Sequence, residues 1–489
     1  MSARTTVPTS ATAESSYSEI AAFFDGFAAD EPRWRRRNRG YHRMIEQLYR
    51  FSIPTGARVL ELGSGSGDLL ASLEPSHGLG VDLSPAMTEL ARSRHPALTF
   101  ETGNAETFDA GETFDYIVVS DLIGYANDLS ALFEAVARHS HDRTRVIVQS
   151  FSQAWRPILR LAELLRVRPR KPVRNWISPD DAHDMLDLAG FEILTSSKRI
   201  LFPKQVPVFS TLLNGIVAWL WPLNSLCLTW WVTARLEPHE VRELTVSVVC
   251  PCRNEAGNVE QIFERLPALG RHTELVFVEG GSKDDTRGEI ERQIAAHPEL
   301  VSKLVVQAGT GKGDAVRAGF GVASGEVLVI LDGDLSVDPE DLAKFYRALA
   351  EGRGELINGS RLVYDVPPDA MRFLNLLGNK LFSRLFQAIT GHRAKDTLCG
   401  TKMLERRDYE LIARERSYFG DFDPFGDFDL LFGASRLGLK IVDLPVRYRS
   451  RTYGATNISR FRHGLLLARM TLFAFWKFQV AVYGRRRAS

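Results

Sequence analysis

Asp332 and Asp334 stand two residues apart where an apolar run gives way to polar sequence in VLVILDGDLSVDPEDL (Val327–Leu342). Alternate side chains of an extended chain share a face, so this spacing places both carboxylates on one side of a strand end. Two hard oxygen ligands suit Mg²⁺ or Mn²⁺, and such an ion neutralises a leaving pyrophosphate. A second set lies in the first half of the chain. VLELGSGSGD (Val59–Asp68) runs from an apolar strand into Gly63, Gly65 and Gly67, with Glu61 two residues before the first glycine. Glycines there let the backbone turn tightly and lie against a ligand at the start of a helix. Asp82 closes the next apolar run, GLGVDLSP, where a carboxylate can accept both hydroxyls of a ribose.

Five further motifs accompany the acid pair. LTVSVVCPCRNEAGNV (Leu244–Val259) opens from a strand into Arg253, Asn254 and Glu255; LVFVEGGSKDDT (Leu275–Thr286) ends in Glu279, two glycines and Asp284-Asp285. GTGKGDAVRAGF (Gly309–Phe320) sets glycines around Lys312 at a helix start, while NGSRL (Asn358–Leu362) and RTYGATN (Arg451–Asn457) carry arginines in loop contexts. Gly311-Lys312-Gly313 is not a Walker A loop, because Gln307 stands where that pattern needs glycine and Gly313 where it needs Ser or Thr. The first glycine cluster is likewise GxGxG followed by Asp68, not the GxGxxG of dinucleotide binding.

The elements that must position these residues follow from apolar periodicity. Strand-like runs at Arg58–Leu62, Gly78–Asp82, Tyr116–Ser120, Val146–Ser150, Phe191–Thr195 and Leu228–Ala234 alternate with helical patterns such as Leu129–His139 and Pro179–Leu188. After the polar stretch LEPHEVRE (Leu236–Glu243) a second series begins at Leu244–Cys250. It continues at Leu275–Glu279, Lys303–Gln307 and Val327–Asp332 and ends near Lys440–Tyr448. The expected fold class is α/β, with two different domains on mostly parallel sheets. The expected divisions are a disordered tail at 1–17, a first domain at 18–235, a linker at 236–243, a second domain at 244–463, and an apolar, basic helix and tail at 464–489.

Composition narrows the partners. The 489 residues carry 61 Lys+Arg against 60 Asp+Glu, a formal net charge of +1, with 44% apolar residues. These values exclude a mostly disordered chain and a dedicated polybasic nucleic-acid binder. Cys227, Cys250, Cys252 and Cys399 form no CxxC pair and read as reduced cysteines of an intracellular protein.

Glu61, the glycine loop, Asp82, Gly103-Asn104-Ala105-Glu106 and FDYIVVSDLIGY (Phe114–Tyr125) together resemble a class I S-adenosylmethionine-dependent methyltransferase over roughly residues 18–235. The resemblance implies a Rossmann-like fold in which Gly63, Gly65, Gly67 and Glu61 surround the methionine part of S-adenosylmethionine. Asp82 would hold the ribose, and Asn104 with Ala105 would meet the adenine. Asn104 stands where that family more often has Asp. Tyr41, His42 and Tyr125 face the acceptor or simply pack; the residues alone leave this open, as they leave open a non-catalytic ligand-binding or docking domain.

The second set is similar to family-2 glycosyltransferases of GT-A fold, in the polyprenol-phosphate (dolichol-phosphate mannose synthase-like) branch, over residues 244–463. The resemblance implies an inverting, metal-dependent transfer of sugar from a nucleotide-sugar donor to a polyprenyl-phosphate acceptor. Pro251, Arg253, Glu255, Glu279 and Ser282 would hold the base and ribose, with Lys312 and Asp314 also on the donor side. Asp332 and Asp334 would bind the metal, and Arg361 and Arg451 the acceptor phosphate. Asp396, Gly400 and Lys402 of DTLCGTK would shape the sugar and acceptor pocket. Glu279-Gly280-Gly281 replaces the usual paired acids and Asn457 a frequent Lys. Asp427 and Asp429 (FGDFDLL) occupy the acidic motif before the last helix; one becomes the base if the acceptor is a sugar hydroxyl, unless the pair is only a helix-start charge.

Two segments bear on membranes. Lys204–Arg235 holds no charge between its ends and contains Trp219, Trp221, Trp230 and Trp231, but Pro207, Asn214, Pro222 and Asn224 interrupt it. Core, interfacial helix and span all remain readings. After Asp443 the chain has ten Lys/Arg and no acid, with apolar Gly464–Gly484 ahead of Arg485, Arg486 and Arg487. That suits a helix lying on an anionic membrane, hence a cytoplasmic protein peripheral to it, or a helix packed on the second domain. Arg33–Arg39 reads as a solvated helix face.

Overall fold

A computed structural model describes residues 10–173, 175–206, 208–363, 373–414, 416, 427–449, 453 and 460–483. The chain divides into two compact units, Met1–Glu237 with Phe478–Ser489, and Pro238–Lys477.

The first unit is built on strands β1 (Arg58–Leu62), β2 (His77–Asp82), β3 (Thr99–Thr102), β4 (Tyr116–Ser120), β5 (Arg145–Phe151), β6 (Phe191–Arg199) and β7 (Thr229–Leu236). Their order is β3-β2-β1-β4-β5-β7-β6. The first five run parallel, and β7 enters antiparallel between β5 and β6. Helices cover both faces, which is why β1, β4 and β5 read as nearly continuous apolar runs. Leu60 and Leu62 enter one core, Val59 the other. The winding reverses between β1 and β4, and the crevice beyond their carboxyl ends is where such sheets bind ligands. β3 was not expected from the sequence; among its four residues only Phe100 is buried, so it carries little apolar signal.

Three helices precede β1: α1 (Ser10–Ala28), α2 (Glu31–Arg37) and α3 (Arg39–Ser52). The expected tail over residues 1–17 is therefore corrected from Ser10 onward. Ser16 Oγ donates to Asn127 Oδ1 at 2.7 Å, and the Tyr17 hydroxyl donates to Glu106, so tertiary bonds hold a Ser/Thr/Ala-rich start in place. The basic cluster is also more than a solvated face, because Arg35 turns inward to pair with Asp68 at 2.9 Å and with Glu46.

The second unit carries β8 (Val246–Cys252), β9 (Thr273–Glu279), β10 (Val301–Val306), β11 (Val327–Ile330), β12 (Leu356–Ser360), β13 (Lys402–Glu405) and β14 (Ile441–Pro445). Their order is β10-β9-β8-β11-β13-β12-β14. The first four are parallel; β13 is antiparallel to β11 and β12, and β14 is parallel to β12. Asn358–Ser360 of NGSRL belong to β12 rather than a loop, because β13 and β14 satisfy the backbone on both edges. Only Arg361 and Leu362 of that motif extend past the strand. Regular structure in β11 ends at Ile330, so Asp332 and Asp334 stand in the turn beyond it. All four cysteines are buried and free.

The closing segment is split rather than single. The helix Arg460–Phe475 packs against the helix Phe373–Thr390, burying Leu467, Met470 and Ala474. Beyond it, Phe478, Val480, Val482 and Tyr483 are buried as part of the first unit, where Phe478 meets Phe51 edge-on at 5.1 Å. Arg485, Arg486 and Arg487 lie outside the described residues. No described helix is long and apolar enough to cross a membrane.

Candidate active sites

At the crevice of the first unit, Gly63 and Gly67 adopt φ of 77° and 73°, a left-handed backbone that side chains resist. A Cβ on Gly67 would also meet the Phe100 ring. The loop is tied to the next strand by three bonds: the Gly63 and Ser64 N–H groups donate to the Val81 carbonyl at 2.8 and 3.0 Å, and the Gly65 N–H donates to Asp82 Oδ2 at 2.8 Å, while Asp82 Oδ1 accepts from Ser84 N–H. Burial raises the Asp82 pKa. Glu61 lies beneath the loop, accepts the Leu70 N–H at 3.0 Å, and is pushed up to about 8, chiefly by burial. Asn104 Oδ1 accepts the Glu106 N–H at 3.0 Å and so shapes the turn after β3.

These residues line one cavity of about 440 Å³, a size suited to a small molecule. Glu61, Gly63, Gly65, Asp82, Asn104 and Ala105 are all on its wall; Gly67 is not, and serves the turn behind it. Tyr41, His42 and Tyr125, left open by the sequence, also face the cavity. Tyr41 donates to Asp121 Oδ2 at 3.2 Å and Gln149 to Asp121 Oδ1 at 3.1 Å. Burial, reinforced by Arg35 and Lys171, lowers the His42 pKa to about 3, so its ring is neutral near pH 7. Sequence reasoning did not single out Tyr17, Asp121, Arg168 or Lys171, which also line the cavity. Asp121 was within reach, since it directly follows the quoted strand and takes a left-handed φ of 53°.

In the second unit the loops after β8 and β9 are cross-linked. Asn254 N–H donates to Ser282 Oγ at 3.0 Å, Lys283 N–H to Asn254 Oδ1 at 2.7 Å, and Ser282 N–H to the Glu279 carboxylate. Burial opposes it, but those bonds from Ser282 hold Glu279 below its ordinary pKa. Glu255 is turned inward to Asn258 at 2.7 Å, so it braces its loop. Pro251 is the penultimate residue of β8 and Arg253 follows that strand. Asp314 is occupied locally: its Oδ2 accepts from Gln307 Nε2 and Gly309 N–H, both at 3.0 Å, clasping the loop before the helix Lys312–Val322.

The acid pair has cations around it. Lys312 Nζ lies 2.5 Å from Asp332 Oδ1. Although burial opposes it, Lys312, then Arg361 and Lys402, hold the Asp332 carboxyl below its usual range. Asp334 Oδ1 accepts the Ser336 N–H at 3.0 Å. The backbone at Gly400 passes so close that a Cβ there would meet Lys312 Nζ and the Asp332 carboxylate and make one of them shift. Among the described residues no group of three His, Cys, Asp or Glu could enclose a metal ion. Two carboxylates alone fit Mg²⁺ or Mn²⁺ where substrate phosphates complete the coordination.

Three of the expected residues are engaged by neighbouring groups of the chain. Asp396 is fully buried: it takes a two-pronged pair from Arg361, Nε and Nη2 each at 2.8 Å, plus the Arg361 N–H at 3.0 Å and Asn379 at 2.6 Å. Arg361 therefore reaches the site as a guanidinium whose orientation Asp396 sets. Lys402 is buried and donates to the Cys399 carbonyl, so it acts through charge and loop geometry. Asp429 Oδ2 pairs with Arg416 at 3.2 Å and Arg317 at 3.8 Å, so two guanidinium groups stabilise its charged form. Asp427 begins the helix Asp427–Arg436, but its side chain, like Arg451 and Asn457, lies outside the described residues.

Residues 247–412 match the family model "Glycosyl transferase family 2", and residues 33–196 match "Methyltransferase domain". Over 221 residues the chain is 30% identical to the glycosyltransferase AglJ of Haloferax volcanii, covering 45% of this chain and 68% of that protein. Over 228 residues it is 26% identical to the undecaprenyl-phosphate 4-deoxy-4-formamido-L-arabinose transferase of Klebsiella pneumoniae, covering 44% of this chain and 63% of that one. The chain thus spans about two thirds of the length of these curated relatives. Among solved structures, a S-adenosylmethionine-dependent methyltransferase of Thermotoga maritima aligns with 44% of this chain and 99% of its own, at 19% identity and a TM-score of 0.35. The chain belongs to glycosyl transferase family 2, and carries that domain behind a class I methyltransferase domain.

Proposed function

We propose that the second unit transfers a sugar from a nucleotide-sugar to a polyprenyl phosphate and that the first methylates a glycan or lipid intermediate from S-adenosylmethionine. The observation that carries the first half is the Lys312 ammonium 2.5 Å from Asp332 beside Asp334, with the charges of Arg361 and Lys402 also acting on that carboxyl. Cations gathered at a strand end suit a diphosphate leaving group and a phosphate nucleophile at once. A phosphate monoester is largely dianionic near pH 7, its second pKa being about 6, so it attacks without a strong base. One of its oxygens bonds to the anomeric carbon as the bond from that carbon to the diphosphate breaks, and in-line attack inverts the centre. Arg361, held by Asp396, orients the acceptor phosphate; Lys312 stabilises charge on the leaving diphosphate. Asp332 and Asp334 would hold Mg²⁺ or Mn²⁺, whose chemistry there is charge neutralisation. The Klebsiella relative, whose name specifies undecaprenyl phosphate, supports this acceptor class.

In the first unit, Asp82 would bind the ribose and Glu61 the methionine end of the donor. Methyl transfer from a sulfonium depends mainly on alignment within the cavity. Work at a lipid acceptor implies peripheral contact with the cytoplasmic membrane face. Transfer to a sugar hydroxyl, with the first unit as a docking module, is the second reading; the pairing of Asp429 with two arginines disfavours it. The test is to incubate the protein with a panel of labelled nucleotide-sugars and polyprenyl phosphate and count label in the lipid phase. Label from one donor supports the reading; none from any donor removes it.

A further inference from the structure

The first unit exposes an apolar surface out of proportion to a soluble domain. On the helix Arg156–Leu164 no residue is buried, and Leu161, Leu164 and the following Leu165 stand open to solvent, Leu164 at 80%. A neighbouring stretch exposes Val208 at 82% and Trp221 at 85%, together with Phe209, Leu212, Leu220 and Leu226. The two stretches meet: Trp155 Nε1, one residue before the helix, donates to the Leu226 carbonyl at 2.7 Å. By contrast Trp230 and Trp231 of the same charge-free run are buried in β7. Contiguous apolar exposure of this kind marks an interaction surface.

Charge says what covers it. No Asp or Glu occurs from Leu164 to Pro179 or from Ile193 to Leu236. The helix itself carries exposed Arg156 and Arg160, and exposed Arg166 and Arg170 follow it. Apolar side chains with tryptophan and exposed arginines, with Glu163 neutralised by Arg168 at 3.1 Å as the one acid of the helix, match the boundary between headgroups and acyl chains of an anionic bilayer. Helices of nine and seven residues, Arg156–Leu164 and Phe209–Gly215, are far too short to span, so they would lie in the plane of the surface.

We infer that this face of the first unit docks on an anionic lipid bilayer. The inference deepens the membrane contact of the proposed function by assigning it to the first unit, through the segments around Leu164 and Trp221. It is tested by sedimenting the full chain with vesicles of phosphatidylcholine containing phosphatidylglycerol, and with phosphatidylcholine alone. Expected are binding to the anionic vesicles, at least ~10-fold weaker in high salt, and at least ~10-fold loss in the variant Leu164→Glu/Trp221→Asp. Leu472→Glu, on the exposed side of the helix Arg460–Phe475, should bind as wild type. Circular dichroism and thermal melting establish that each variant is folded. Binding that survives the double substitution, or that only Leu472→Glu abolishes, overturns the inference. So does a wild-type chain that ignores vesicles, including one whose double variant merely dissolves a dimer in ultracentrifugation. Sugar transfer to a short-chain, water-soluble prenyl phosphate without vesicles should be unchanged in the double variant. If wild type lacks that transfer, the acceptor reading fails while the vesicle result stands.

Discussion

Lys312 Nζ lies 2.5 Å from Asp332 Oδ1, and the backbone of Gly400 closes over the contact so that a Cβ there would displace one of the two side chains. An ammonium at the amino end of a helix is thus fixed against the acid that ends the central strand. The pair joins the start of the helix Lys312–Val322 to the turn after β11, and Gly400, in the segment between Asp396 and β13, lies against both. Removing the cation, as in Lys312→Met, should lower sugar transfer by ~10²-fold or more and raise the donor KM. Gly400→Ala should lower turnover at least ~10-fold while leaving donor binding to the first unit intact. Steady-state rates with the active nucleotide-sugar measure both; a Gly400→Ala enzyme with normal turnover would separate this contact from catalysis.

Asp396 and Arg361 form a buried ion pair, and burying one partner alone is costly. Asp396→Asn should destabilise the second unit by ~3–5 kcal/mol, seen as a lower melting temperature. Arg361 and its hydrogen bonds hold Asp396 below the ordinary carboxylate range against burial. Its folded pKa is depressed, so its contribution is present above the unfolded pKa of about 4. That contribution is lost as pH falls through the lower folded value. The melting difference between wild type and Asp396→Asn should therefore shrink in acid; a difference constant to low pH would contradict the pairing.

Glu61 has the opposite sign. Burial raises its folded pKa from 4.5 to about 8, so the protonated acid favours the fold. That stability is full below pH 4.5 and is lost as pH rises through about 8. Glu61→Gln should match or exceed wild type in thermal stability at pH 8 while binding S-adenosylmethionine more weakly. Melting curves at pH 5 and pH 8 check the first part and calorimetry the second.

Asp82 anchors the Gly65 N–H and ends β2, so Asp82→Ala removes both a donor contact and a brace of the glycine loop. Titration of S-adenosylmethionine should show at least ~10-fold weaker binding. No heat from either wild type or Asp82→Ala would make the first unit a docking module.

Much of this was legible before any coordinates. β1, β4 and β5 announce themselves because both their faces are buried, and the glycine loop and Asp82 fall at strand ends that apolar runs delimit. β12 was missed because its residues Asn358, Gly359 and Ser360 look like a turn; only pairing with distant β13 and β14 makes them a strand. The engagement of Asp396 with Arg361 and of Asp429 with Arg317 and Arg416 was invisible for the same reason, as spacing shows acids but not their partners. The start of α1 was read as tail because its composition is Ser/Thr/Ala-rich, while its order comes from Asn127 and Glu106 more than 80 residues away.

The most direct test of sugar transfer to a lipid phosphate is phosphorus NMR of the lipid-phase product. A monoester ionises a second time with a pKa of about 6, so its resonance moves between pH 5 and pH 8. A sugar phosphodiester has no such ionisation. The product is expected to carry label from the nucleotide-sugar and a resonance that no longer moves with pH. A lipid phosphorus that still titrates after the labelled nucleotide-sugar has been consumed would mean that the phosphate is not the acceptor and contradict the account.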